Sequence, residues 1–269
     1  MSDNIKEYEA KYPIKSLDKA LEIIDILAKD VRNSGLGISE IDEKLKIGKS
    51  TIHRMLDTLM AHNYVEKNTA TNKYCLGWRL FEIGSTIPKQ RSLYNFDMKI
   101  LHDLSIKYGE TVNLGVRDGR DVITVYKVES ETTLKANISI GGREALHATS
   151  MGKVLISELS NGEIMGILRE EQLIAYTPNT ITSIEKLLSE LKKVREQGYA
   201  IDDEELCIGL SCIAMPVRNN KGQIVSAVSV SGPSIRINFN KILNIKDDLK
   251  IATGNISKYL GFRELSNSG

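Results

Sequence analysis

The stretch Ile47 to Lys67, IGKSTIHRMLDTLMAHNYVEK, most narrows what this chain can fold into. Its apolar residues Ile52, Met55, Leu56, Leu59 and Met60 recur at the spacing of one face of a helix that packs on a core. The opposite face carries Ser50, His53, Arg54 and Asp57, with Lys49 and Thr51 at its start. Hydroxyl, imidazole and cationic groups on the first two turns are the types that reach phosphates and base edges. Asp57 falls a turn later, where repulsion from phosphate does less harm.

Two shorter helical patterns precede it. Leu17, Ala20, Leu21, Ile24, Leu27 and Ala28 form a stripe behind Ser16, a good N-cap, and Ser39 can cap a second helix with Ile41 and Leu45 inward. Gly48 then breaks the chain and occupies the cap position of the third helix. Helix, short helix, tight turn and amphipathic helix with a polar outer face make a helix-turn-helix pattern. Tyr64 to Lys67 and Lys73 to Leu76 read as two strands around the turn Asn68 to Asn72, which adds a wing.

A three-helix structural bundle with a merely solvated charged face has the same period. Charge separates the two. Between Lys44 and Arg79 stand seven basic residues (Lys44, Lys46, Lys49, Arg54, Lys67, Lys73, Arg79) against Asp57 and Glu66, in a chain whose formal net charge is only +1. A local basic excess on the helix and wing is the footprint expected for duplex DNA. The expected contacts are Lys49, Ser50, Thr51, His53 and Arg54 on the helix and Lys67 and Lys73 in the wing.

The 269 residues suit two domains, and 41% hydrophobic with 26% charged residues excludes a disordered or membrane-embedded chain. Apolar runs fall far short of the ~20 residues that span a bilayer, and the N-terminus is polar rather than signal-like, so a cytoplasmic location is expected. Cys75, Cys207 and Cys212 are odd in number and show no metal-ligand spacing, so neither a disulfide frame nor a metal site is expected. Residues 1–13 read as a flexible arm, 14–76 as the winged helix-turn-helix and 77–90 as a linker helix closed by Pro88. Trp78 at its start reads as a packing anchor more readily than as a ligand contact.

Residues 91–264 read as an α+β domain. A helix from Tyr94 to Lys107 carries Phe96, Ile100, Leu101, Leu104 and Ile106 and ends at Gly109. A hairpin follows over Val112–Val116 and Val122–Val128, then a third strand over Leu134–Ile140. Helical patterns cover Ser150–Leu159, Gly162–Leu168 and Ser183–Gln197. Strands at Tyr199–Asp202, Ser211–Arg218 and Gln223–Ser231 lead to a last helix, Ile242–Leu260. Such a layer with helices on its faces offers a pocket.

Three features bear on that pocket. The turn His147-Ala-Thr-Ser-Met-Gly-Lys153 enters a helix, so its amides suit a carboxylate or phosphate, or Thr149 or Ser150 simply caps the helix. Cys212 alternates with Ala214 on one strand face, and Ser229 shares a face with Ser231; they line a pocket or pack as small residues. The acidic run Asp202 to Glu205, taken alone, reads as a solvated loop. Catalysis by Cys212 with His147 as base is disfavoured by the apolar residues Ile213 to Pro216, and no phosphate-binding or zinc-protease motif occurs, so the chain reads as no enzyme and needs no cofactor.

The segments KSTIHRMLDTL, LHATSMGKVL, REQGYAIDDEE, GLSCIAMPV and AVSVSGP, in this order, resemble the IclR family of bacterial transcription regulators over residues 15–264. YKVES near Tyr126 and NTITS near Thr180 look closest to its pectin-degradation (2-keto-3-deoxygluconate) branch. The resemblance implies a winged helix-turn-helix, a linker helix and a GAF-like α/β effector-binding domain. It further implies a homodimer or homotetramer on a palindromic DNA operator, controlled by a small organic acid, with repression expected over activation. The family's effector positions fall here on Ser150, Met151, Asp202, Leu210, Cys212, Ser229 and Ser231. A bulky Met151 where the family often has a small residue would reshape the pocket. The rival from another class is a small-molecule sensor or enzyme whose basic module binds RNA or a partner protein.

Overall fold

The computed structural model describes residues 10–30, 34–91, 93, 96–136 and 138–263. Its internal contacts group it into two units, residues 1–91 and 92–269. Most of the expected arm, residues 1–9, lies outside the described residues, as do Tyr94 and Asn137.

The first unit runs α1 (Lys15–Ala28), α2 (Ile38–Leu45), α3 (Lys49–Ala61), β1 (Val65–Asn68), β2 (Lys73–Leu76) and α4 (Trp78–Gln90). Ile23, Leu27, Ile41, Ile52, Leu56, Val65 and Tyr74 close one small core. Met55, Leu59 and Met60 pack against it, as the period of α3 demands. β1 and β2 pair antiparallel from Val65 opposite Leu76 to Asn68 opposite Lys73, which is the expected wing.

Several local expectations are corrected. The buried stripe of α1 is Ile23 and Leu27, so Leu17 and Leu21 face outward at more than half exposure. α1 begins before Ser16, with Ile14 at its cap, and α2 is capped by Gly37 rather than Ser39. The carboxylate of the N3 residue Glu40 reaches back to take the Gly37 N–H at 2.7 Å, the acidic half of a capping box. Pro88 does not close α4, which continues to Gln90. Trp78 is 73% exposed, edge-on to Phe81, and so is not buried as an anchor.

The second unit runs α5 (Lys99–Tyr108), β3 (Thr111–Asp118), β4 (Asp121–Val128), β5 (Arg143–Ala145), α6 (Ser150–Ile156), α7 (Asn161–Ile167), α8 (Ile184–Gln197), β6 (Ala200–Asp203), β7 (Leu210–Arg218), β8 (Ile224–Pro233) and α9 (Phe239–Tyr259). Its six strands pair antiparallel in the order β5-β4-β3-β8-β7-β6. One sheet face presents Val112, Leu114, Ile213, Met215, Val217, Val228 and Val230 to a core shared with α5 and α9. The other carries smaller residues, among them Ala200, Ala214 and Ala227, under α6 and α8.

α5 starts at Lys99, later than its apolar pattern, and Ile106 is 80% exposed rather than inward. The third strand expected over Leu134–Ile140 is absent among the described residues there. The place beside β4 is taken by Arg143–Ala145, and Gly141 and Gly142 bond Thr124 across the turn that leads to it.

Candidate nucleic-acid interface and effector cavity

In the first unit the turn between α2 and α3 is held by the Gly48 N–H on Asp42 Oδ1 at 2.9 Å. α3 then presents Lys49, Ser50, His53, Arg54 and Asp57 to solvent, with Thr51 half-buried beside Ile52. Burial of Ile52 and Leu56 on one side is what turns the other side outward. The two wing lysines differ. Lys67 places its ammonium 5.6 Å from the ring centre of Tyr74, whereas Lys73 lies 3.5 Å from Glu40, the carboxylate already bonded to Gly37.

In the second unit, strand register assembles a cavity. Asp202 on β6 stands opposite Cys212 on β7, which stands opposite Ser231 on β8. The next row on the same face is Ala214, Ser229 and Asn113. Asn113 Nδ2 donates to Ser229 at 3.4 Å and to Ser231 at 3.3 Å. Over this floor the start of α6 brings Ser150 and Met151. All seven expected positions, Ser150, Met151, Asp202, Leu210, Cys212, Ser229 and Ser231, line one small cavity of about 10 Å³, room for about one water molecule.

The bulky Met151 fits because its neighbour on β3 is Gly115: a Cβ there would stand 2.8 Å from Met151 Sδ. Gly152 is required as well, since its Cβ would fall 2.2 Å from the Leu146 carbonyl oxygen. The cap question at this turn has a definite answer. Thr149 Oγ1 accepts the Gly152 N–H at 3.1 Å, so that amide is not free for a ligand.

The acidic run is not a solvated loop. Asp202 is 1% exposed and Glu205 is buried, and of the four acids Asp203 alone is exposed. Burial pushes the Asp202 carboxyl up to about 7, against the Glu205 N–H that it accepts at 2.7 Å. Glu205 pairs with Lys153, itself 1% exposed, and burial raises Glu205 against the pull of that ammonium. Thr177 and Thr180 donate to the carbonyls of Glu204 and Glu205, which fixes the loop after β6. Burial holds the Cys212 thiol well above its ordinary range, so it is no nucleophile. His147 is occupied by the Ile174 carbonyl at 3.1 Å.

Sequence reasoning missed four lining or supporting groups. Glu144 and Ile138 lie on segments with no local mark of a site, and Leu206 follows the acidic run. Asn113 did carry a signal, being an amide at an inward position of the apolar strand Val112 to Val116.

Residues 16–69 match the IclR helix-turn-helix domain, and residues 89–258 match the bacterial transcriptional regulator IclR C-terminal domain. The chain belongs to the IclR family. Among IclR-family relatives it is 35% identical to the HTH-type transcriptional regulator XynR of Escherichia coli over 93% of this chain and 98% of XynR. The regulator KdgR of E. coli is 32% identical (93% and 95% covered) and the repressor AllR of E. coli 29% (93% and 91% covered). The crystal structure of the Thermotoga maritima IclR superposes with a TM-score of 0.78 at 31% identity, over 93% of this chain and all of that one. The protein is thus a DNA-binding transcription regulator with an IclR-type C-terminal domain, and the rival reading as an enzyme or RNA-binding sensor falls away. Among the described residues no helix is long and apolar enough to cross a membrane.

Proposed function

We propose that this regulator is a cytoplasmic repressor that holds a palindromic operator as a homodimer or homotetramer and responds to a small hydroxy- or keto-acid in the cavity of its second unit. The observation that carries the effector reading is convergence. Residues from Ser150 to Ser231, dispersed over four elements and a loop, meet around one small cavity with hydroxyl, carboxyl and thiol groups in its walls. The outward groups of α3, Ser50, His53 and Arg54 above all, support base and phosphate contacts, with Lys49, Thr51 and the wing lysines Lys67 and Lys73 around them. One recognition helix reads a half-site, so a palindrome requires two copies. The name of the relative AllR supports repression.

Footprinting on the DNA upstream of its own gene, with and without keto acids, sugar acids such as 2-keto-3-deoxygluconate, and aromatic acids, tests the proposal. Salt-sensitive protection of one palindrome, altered by an acid, is the expected result. A protein that protects no duplex, or that stays monomeric on DNA by light scattering, refutes the operator reading. A bound acid should stabilise the native state by ~2.7 kcal/mol at a hundredfold excess over its dissociation constant. Binding that survives both Asp202→Ala and Ser229→Ala unchanged would place the effector elsewhere.

A further inference from the structure

The cavity has two carboxyl walls and no basic one. Asp202 closes it from β6 and Glu144 from β5, and among the described residues no lysine, arginine or histidine lines it. The side chain of Glu144, a half-buried residue, has no hydrogen-bond or ion-pair partner among the described residues, and burial alone raises its carboxyl.

The charged groups around these two are spoken for. Lys153 on α6 is held by Glu205. Arg143, next to Glu144 on β5, reaches the opposite way to Asp118 and Asp121. His147, before α6, is bonded to the Ile174 carbonyl, and its imidazole is held below its ordinary range by burial. Asp203 points off the other face of β6 towards Ser211, and Glu190 on α8 pairs with Lys193. From β7 and β8 the polar groups lining the cavity are the buried thiol of Cys212 and the hydroxyls of Ser229 and Ser231, and from β3 the uncharged Asn113 lies beneath those hydroxyls. Lys135, near Ile138, pairs with Glu129.

An organic anion entering such a space meets two groups that, when ionised, can only accept hydrogen bonds. A neutral carboxyl reverses this, since its O–H donates to a carboxylate in a short, charge-assisted bond. We propose that the cavity binds a small organic acid together with one proton, shared in the complex between the ligand carboxylate and the carboxyl of Asp202 or Glu144. The proposal rests on the acid-effector reading above. The free protein is poised for it, because burial already brings Asp202 to about 7. The ligand's negative charge raises the carboxyl further, so affinity is full below the free-state value and falls as pH rises through it. For one proton the fall approaches tenfold per pH unit above about 7.

The test is isothermal titration calorimetry of the full-length protein with pyruvate, glyoxylate and 2-keto-3-deoxygluconate, across neutral to alkaline pH. Each titration is run in PIPES and in Tris, whose ionisation enthalpies differ. The expected result is proton uptake that rises from neutral pH and approaches one proton per ligand bound above it, with affinity that weakens tenfold per unit of alkaline pH. Glu144→Gln or Asp202→Asn, whichever removes the proton's host, should abolish the uptake and make binding independent of pH. Acid binding by the wild type with no proton uptake and a flat pH profile overturns the inference and leaves the acid-effector reading standing. Uptake unchanged in both variants also overturns it. Failure of all the acids to bind at any pH, with an uncharged analogue binding instead, overturns both. The wild-type proton count needs no variant to fold.

Discussion

Lys153→Met should unfold the second unit more easily and should do so in a pH-dependent way. The Lys153 side chain is 1% exposed and its sole ion-pair partner among the described residues is Glu205, whose side chain is 10% exposed. Removing one partner of a buried pair typically costs about 3–5 kcal/mol, because it leaves the other charge uncompensated. The low end applies here, since Glu205 Oε2 already lacks a hydrogen-bond partner among the described residues and the native pair is not fully satisfied. At roughly 2–4 °C per kcal/mol for a unit of this size, the transition should fall by on the order of 10 °C.

The sign with pH follows from Glu205. Burial raises its carboxyl already, with Lys153 opposing, so in the variant the folded-state value rises further. A raised carboxyl costs stability wherever the unfolded chain would be ionised, so the loss is greatest at alkaline pH and shrinks as pH falls and Glu205 takes up a proton. Differential scanning calorimetry of the full-length protein across that range reads both effects. Adding Glu205→Leu to Lys153→Met removes the stranded charge and should restore most of the loss. A single variant that loses less than about 1 kcal/mol, or loses the same at every pH, would show that the pair is open to water and the reasoning wrong.

Arg54→Ala and Ser50→Ala should each weaken specific operator binding by ~1–3 kcal/mol without changing the fold, read by footprinting beside circular dichroism; wild-type footprints for both would mean α3 is not the reading helix. Lys67→Ala should weaken binding to all duplexes alike and flatten its salt dependence more than Lys73→Ala does, because Lys73 is engaged by Glu40; a change in sequence preference instead would show that the wing reads bases. An aromatic disulfide reagent should titrate Cys75 and Cys207, both exposed, at once and Cys212 only on denaturation; a third fast thiol would contradict the buried, protonated state of Cys212.

What was legible in the sequence was what local spacing determines. The α3 stripe, the wing around Asn68 to Asn72 and the strands β7 and β8 all follow from periods of 3.6 or 2 within a dozen residues. The errors share a physical cause, which is competition at long range. Leu134 to Ile140 alternates like a strand, yet the edge of β4 it would need is occupied by Arg143–Ala145. Ile106 and Leu17 fit a helical stripe, yet the faces that find a core are set by which residues of α9 or α3 arrive opposite them. Pro88 reads as a stop, yet α4 holds it within its last turn and ends only at Gln90.

The cavity was legible only through the family's motifs, and the reason lies in register. Asp202 to Glu205 looks like a solvated run because four adjacent acids are usually apart from a core. The row Asp202, Cys212, Ser231 exists only after β6, β7 and β8 pair, and a shift of one residue would turn all three to the other face. Glu144 had no local signal at all, since a glutamate beside an arginine on an edge strand is ordinarily a surface pair. Its isolation from Arg143, whose guanidinium turns away to Asp118 and Asp121, is what converts it from a surface charge into a wall of the pocket. The sheet's share of the site, two carboxyls and three hydroxyl or thiol groups with no cation among the described residues, is therefore a property of register rather than of any one motif, and relatives that keep the motifs but differ at position 144 or 202 should differ in the protonation linkage of their ligands.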